Sequence, residues 1–186
     1  MSDDRLEDEE DFPLGPPQKD WPRARGKECV LVAEDSEALR DLVLAMLSGL
    51  GYEVLTAGGG HEALRQIERH HGVDLVITDA IMPRGGGFQI IDEMRGTWPG
   101  TPIVITSGFT EEIEAGLRER TRAMLEPAVE PPAEATDEPA REVPVAAGAP
   151  LPIIEFLPKP FRPEQLARLV REVIDRSRSD APRKRG

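Results

Sequence analysis

The chain has 186 residues, 35 Asp plus Glu against 23 Lys plus Arg for a formal charge of −12, and is 39% hydrophobic but only 4% aromatic. That length fits one domain, and the single cysteine, Cys29, excludes a disulfide framework or a cysteine metal cluster. The longest largely apolar stretch, Leu42 to Leu50, is far short of the roughly 20 residues of a membrane span, and the acidic opening is unlike a secretory signal, so a cytoplasmic protein is expected.

Residues 1–26 read as a flexible acidic arm, with eight acids and two bases in the first 20. The first predicted strand is Glu28–Ala33 (ECVLVA). The clearest helix follows: Leu39, Leu42, Val43, Met46, Leu47 and Leu50 form one apolar face, with Ser36 as its cap and Gly49 or Gly51 as its end. Next come a strand at Glu53–Ala57, a helix near His61–His70, a strand at Val73–Thr78 and a helix near Phe88–Arg95. A strand at Pro102–Thr106 and a helix at Thr110–Leu125 follow. Residues 126–152 hold seven prolines among Ala, Glu and Val with no aromatic residue, which cannot bury enough surface to offset ordering, so a disordered insertion is expected. The fifth strand is Ile153–Leu157, and a last helix beginning near Pro163 buries Leu166, Leu169, Val170 and Val173. A basic tail closes the chain at 178–186. The folding unit is therefore expected over 27–177, interrupted by the insertion.

Five β-rich runs alternating with helices predict an α/β fold: a doubly wound, five-stranded parallel sheet. Ligands of such sheets bind at the carboxyl ends of the strands. Those ends carry Glu34 and Asp35, Asp79, Ser107 and Lys159. Clustered hard oxygens with room for water suit Mg²⁺, whose charge would let all three carboxylates stay ionised together. Asp79 could then attack phosphorus to form an acyl phosphate, with Ser107 and Lys159 steadying the equatorial oxygens.

In these features the chain resembles a response-regulator receiver domain of two-component signalling, of the single-domain chemotaxis type. The resemblance lies in VLVAEDSEALRDLVLAML (30–47), DLVITDAIMP (74–83), PIVITSG (102–108) and FLPKPF (156–161). It implies a (βα)5 flavodoxin-like receiver fold with strand order 2-1-3-4-5, and Asp79 as phosphoacceptor. It also implies Glu34, Asp35, Asp79 and the carbonyl of Ile81 as Mg²⁺ ligands. Ser107 and Phe156 would be the switch pair, Lys159 the ion-pairing lysine, and Pro160 a proline commonly in cis.

The departures are informative. Glu34 stands where many members have Asp. The Gly85-Gly86-Gly87 run after Arg84 should make its loop mobile. Ile81 and Phe109 are apolar where polar side chains help orient the hydrolytic water, which predicts slow autodephosphorylation. The 51 residues between Ser107 and Lys159 accommodate the insertion, read as an inert spacer in preference to a regulatory tether.

Other features take plain readings: His61, His70 and His71 as surface residues near helix ends, Cys29 as a small buried hydrophobe, and Arg183–Arg185 as a solvated tail. With nothing after 177 expected to form an output domain, direct DNA binding is not expected. The implied partners are a histidine kinase or histidine phosphotransfer protein and a downstream protein. That target would read the face of the fourth predicted helix, fifth strand and last helix. The receiver would be a monomer or a phosphorylation-dependent dimer. The alternatives are a module acting with, or excised from, a hybrid kinase, and a Mg²⁺-dependent phosphohydrolase using Asp79. A flavodoxin-like cofactor binder is disfavoured because Glu34 and Asp35 would repel a phosphate.

Overall fold

The computed structural model describes residues 19–25, 27–83, 86–108 and 152–180. Five parallel strands, β1 (Cys29–Ala33), β2 (Glu53–Ala57), β3 (Leu75–Asp79), β4 (Ile103–Ser107) and β5 (Ile154–Pro158), form one sheet in the order β2-β1-β3-β4-β5. Four helices are described: α1 (Glu37–Gly49), α2 (Gly60–Arg69), α3 (Gly87–Thr97) and α4 (Pro163–Asp180). The predicted helix at 110–125, Phe109 and the insertion as far as Leu151 lie outside the described residues.

Side chains alternate across each strand, and that alternation divides the core in two. Val30, Val32, Leu75, Ile77 and Val104 meet Val43, Met46 and Leu47 of α1 and Leu166, Val170 and Val173 of α4. On the other face Leu31, Ala33, Val76, Ile103 and Ile105 meet Ala63 and Ile67 of α2 and Ile90, Ile91 and Met94 of α3. A sheet buried on both faces explains why its strands read as nearly continuous apolar runs. α1 and α2 give way at Gly51 and Gly72, whose φ values of 93° and 111° are accessible to glycine at no steric cost.

Three expectations need correction. Ser36 occupies the position before α1 but its side chain makes no capping hydrogen bond; its N–H instead donates to Glu34 Oε1 at 3.3 Å. Part of the arm is packed: Trp21 and Ala24 lie against the α1/α4 core, and the Ala24 N–H donates to the Leu50 carbonyl at 3.0 Å. The last helix continues past 177 to Asp180, and Arg178 pairs with Glu28 and Asp74. Separately, Gly86 and Gly87 allow close packing. A Cβ at Gly86 would stand 2.7 Å from the Ala80 carbonyl oxygen, and one at Gly87 would stand 2.9 Å from that of Asp79.

The amino-terminal end of the sheet carries a charged network. Glu28 is fully buried; Oε2 accepts from Arg171 at 2.6 Å and from the Arg25 N–H at 2.9 Å, while Oε1 accepts from Arg178 at 2.6 Å. Asp74 accepts from Arg178 and from the Cys29 N–H, and Asp175 pairs with Arg171 and Arg25. Burial opposes the Glu28 charge but is outweighed by Arg171, the Arg25 N–H and Arg178, which hold its carboxyl below the usual glutamate range. The Tyr52 hydroxyl is buried beside Arg171 without a hydrogen bond of good geometry. Burial, then Glu53 and Asp74, push the half-buried Cys29 thiol up to about 11, in keeping with an unreactive thiol. His61, His70 and His71 are exposed. Among the described residues no helix is long and apolar enough to cross a membrane.

Candidate functional site

The carboxyl ends of β1, β3, β4 and β5 converge. Glu34 follows β1 and stays attached to the sheet, its N–H donating to the Ala57 carbonyl at 3.0 Å, before the chain turns outward at the exposed Asp35. Asp79 is the last residue of β3, in register with Thr106 of β4. Carboxylate oxygens of Glu34, Asp35 and Asp79 all lie within 4.8 Å of one another.

Lys159, just after β5, closes the cluster. Its Nζ donates to Asp79 Oδ2 at 2.6 Å and to Glu34 Oε2 at 2.7 Å, and its backbone N–H donates to the Ser107 carbonyl at 2.6 Å. Burial opposes the ammonium charge, but the hydrogen bonds it donates to Asp79 and Glu34 outweigh it, so Lys159 stays protonated above the usual lysine range. The Lys159–Pro160 peptide is cis.

Asp79 Oδ1 accepts the Ile81 N–H at 3.0 Å, and the Ile81 side chain is 55% exposed beside it. Ser107 is buried at the end of β4. Phe156, in register with Ile105, is half-buried against the α2/α3 core. The structure thus brings together Glu34, Asp35, Asp79, Ser107 and Lys159, places Ile81 on the lip and Phe156 further down the sheet, and leaves Phe109 outside the described residues. The reading by strand ends missed Arg40, whose Nη1 donates to the Glu34 carbonyl at 2.9 Å.

Three carboxylates face one lysine, so the cluster carries surplus negative charge in a partly buried place. Hard oxygen donors, one of them on the exposed Asp35, fit Mg²⁺, which keeps several of its waters. Glu34, Asp35 and Asp79 would hold it.

The family model for the response regulator receiver domain matches residues 30–125, more than half of the 186. The chain belongs to this family. The receiver identity accounts for the strand order and for the acid cluster, since receivers bind Mg²⁺ in such a pocket. The chain is 30% identical over 171 residues to the sensor kinase CckA of Brucella abortus (strain 2308), an alignment covering 90% of this chain and 15% of the kinase. It spans 28% and 19% of two further curated relatives, a probable transcriptional regulator of Galdieria sulphuraria and the transcriptional regulatory protein ZraR of Salmonella typhimurium. A CheY-like receiver domain protein of Methanospirillum hungatei JF-1 shares the fold, with a TM-score of 0.60 at 19% identity over 83% of this chain and 99% of that one. The receiver domain of the hybrid histidine kinase CckA superposes with a TM-score of 0.53 at 26% identity, covering 78% of this chain and 98% of that one.

Proposed function

We propose that this receiver accepts a phosphoryl group on Asp79 from a phosphohistidine of a histidine kinase or histidine phosphotransfer protein. The observation that carries this is Lys159, whose ammonium bridges Asp79 and Glu34 while all three carboxylates cluster within 4.8 Å. An Asp79 oxygen forms the new P–O bond as the P–N bond of the phosphohistidine breaks. The imidazole leaves with the electron pair and takes up a proton. The Ile81 N–H and Lys159 orient the carboxylate beforehand, which limits the reorganisation needed at the moment of transfer. A bound Mg²⁺ would neutralise charge on the phosphoryl oxygens.

After transfer the Ser107 hydroxyl donates to a phosphoryl oxygen and Phe156 moves inward, favouring one of two states of the output face. A downstream protein reads that face. The protein acts as a signalling phosphoacceptor, and its phospho-form decays slowly because Ile81 cannot orient water; Phe109 would act alike. A folded unit extended beyond 27–177 to take in Trp21 and the end of α4 at Asp180, the spacer at 126–152 and a cytoplasmic setting complete this reading.

Intact mass after incubation with acetyl phosphate tests it. A single Mg²⁺-dependent phosphoryl adduct on the wild type, absent from Asp79→Asn, is expected; equal labelling of the variant would refute the assignment. Ile81→Asn should shorten the adduct lifetime, and an unchanged lifetime would remove the slow-decay reading. The alignment with CckA over 90% of the chain favours a second reading, a receiver working with or excised from a hybrid kinase. Phosphoryl exchange in both directions with a purified histidine phosphotransfer protein would support it, and strictly one-way transfer would count against it.

A further inference from the structure

Arg40 brings a cation to the rim that the phosphoacceptor chemistry above does not use. Its backbone N–H continues α1 by donating to the Ser36 carbonyl at 2.9 Å, while its side-chain Nη1 reaches back to the Glu34 carbonyl, also at 2.9 Å. The same guanidinium lies against the loop after β2: a Cβ added at Gly58 would stand 3.5 Å from Nη1. Gly58 is itself fixed by donating its N–H to Glu62 Oε2 at 2.9 Å. At Gly59, an added Cβ would stand 3.3 Å from the Pro83 carbonyl oxygen in the loop after β3. Glu34, Arg40, Gly58, Gly59 and Pro83 therefore form a band of contacts across three loops of the carboxyl rim.

Glu34 is held at four points within this band. Its N–H bonds to the Ala57 carbonyl, Oε1 to the Ser36 N–H, Oε2 to Lys159 and its carbonyl to Arg40. That carbonyl belongs to the peptide joining Glu34 to Asp35, so whatever holds it sets the direction in which the Asp35 carboxylate leaves the strand. We propose that Arg40 is a positioning residue for the cation site, acting through the Glu34–Asp35 peptide to aim Asp35. The inference rests on the reading of the acid cluster as a Mg²⁺ site.

Charge and geometry predict opposite signs here. A guanidinium near three carboxylates repels a metal cation, so deleting it should tighten binding if charge were its whole effect. Deleting a hydrogen bond that orients a ligand loosens binding, commonly by 10- to 100-fold for outer-shell partners. Isothermal titration calorimetry of the full chain with MgCl₂ separates the two. Arg40→Ala should weaken Mg²⁺ binding about tenfold. Arg40→Lys, which keeps a donor, should recover most of that loss. The unfolding midpoints of both variants without Mg²⁺ should stay near that of the wild type. With acetyl phosphate the Mg²⁺ concentration for half-maximal rate should rise while the plateau rate holds.

Unchanged or tighter binding by Arg40→Ala overturns the proposal. So does a lowered plateau at unchanged half-saturation. If Arg40→Ala fails to fold, Arg40→Met keeps the apolar stem without a donor and should show the same weakening. Wild-type protein that bound no Mg²⁺ would overturn the metal reading together with the proposal, whereas wild-type binding with an unaffected variant overturns the proposal alone.

Discussion

The two ends of the sheet carry the same three-acid complement and treat it oppositely. At the amino end Glu28, Asp74 and Asp175 face Arg25, Arg171 and Arg178, charge for charge. At the carboxyl end Glu34, Asp35 and Asp79 face Lys159, with the Arg40 guanidinium held on a backbone carbonyl. A balanced network fastens α4 and the start of β1 to one another. The unbalanced one keeps surplus negative charge, which on the proposed reading is there for a cation, at some cost to the stability of the cation-free state. Charge balance alone separates the two clusters, without reference to any relative.

The largest effect that would break this contrast is on stability. Glu28→Ala leaves buried Arg171 without its main partner and should cost about 3–5 kcal/mol in urea unfolding. Asp35→Asn, which removes surplus charge, should in the absence of Mg²⁺ leave stability within about 0.5 kcal/mol or raise it. Comparable losses in both variants would erase the distinction. Next in size, Gly87→Ala forces a Cβ towards the Asp79 carbonyl oxygen and should cost about 1–3 kcal/mol while slowing adduct formation. A variant labelled at the wild-type rate would show that the helix start can retreat without moving Asp79.

Mg²⁺ should sharpen the contrast from the other side. At ten times its dissociation constant it should stabilise the wild type by about 1.4 kcal/mol, and Asp35→Asn by clearly less. Acid offers a further handle. Because the folded Glu28 carboxyl titrates below its ordinary value of 4.5, its contribution is complete above that pH and fades as pH falls through the folded value. The stability gap between wild type and Glu28→Gln should therefore be widest at neutral pH and narrow below about 4.5. A gap that widened in acid would mean that Glu28 is not held as a carboxylate. The smallest effect is Tyr52→Phe, which removes a buried hydroxyl lacking a well-made hydrogen bond and should be neutral or stabilise by up to about 1 kcal/mol.

Much of the rim was legible because the information is local. A strand ending in Asp79 and another followed by Glu34 and Asp35 announce themselves in short runs of β-branched residues, and the rule of strand carboxyl ends then brings them together. Each described strand falls within two residues of its expected limits. The amino-end network was invisible for the opposite reason. Glu28 looks like the first residue of a strand, and its partners Arg171 and Arg178 lie 143 and 150 residues away. The four-residue spacing of Arg171 and Asp175 was a faint signal, since it places both on one helix face. The packed stretch around Trp21 was hidden by the acidic run before it, although an aromatic residue followed by Ala24 is a reasonable mark of contact. Gly86 and Gly87 illustrate an ambiguity of composition, because glycine serves freedom of the chain and close approach equally well.

Both tryptophans of the chain lie far from the rim. Trp21 packs on the α1/α4 core near the Leu50 end of α1, and Trp98 follows α3 and stands over Gly72, where an added Cβ would lie 3.4 Å from its ring. Neither indole can be quenched directly by an ion or phosphoryl group at Asp79. Any change in emission on adding Mg²⁺ or a phosphodonor would therefore be a signal relayed through the fold, which makes the protein its own optical gauge of how far the rim's chemistry travels.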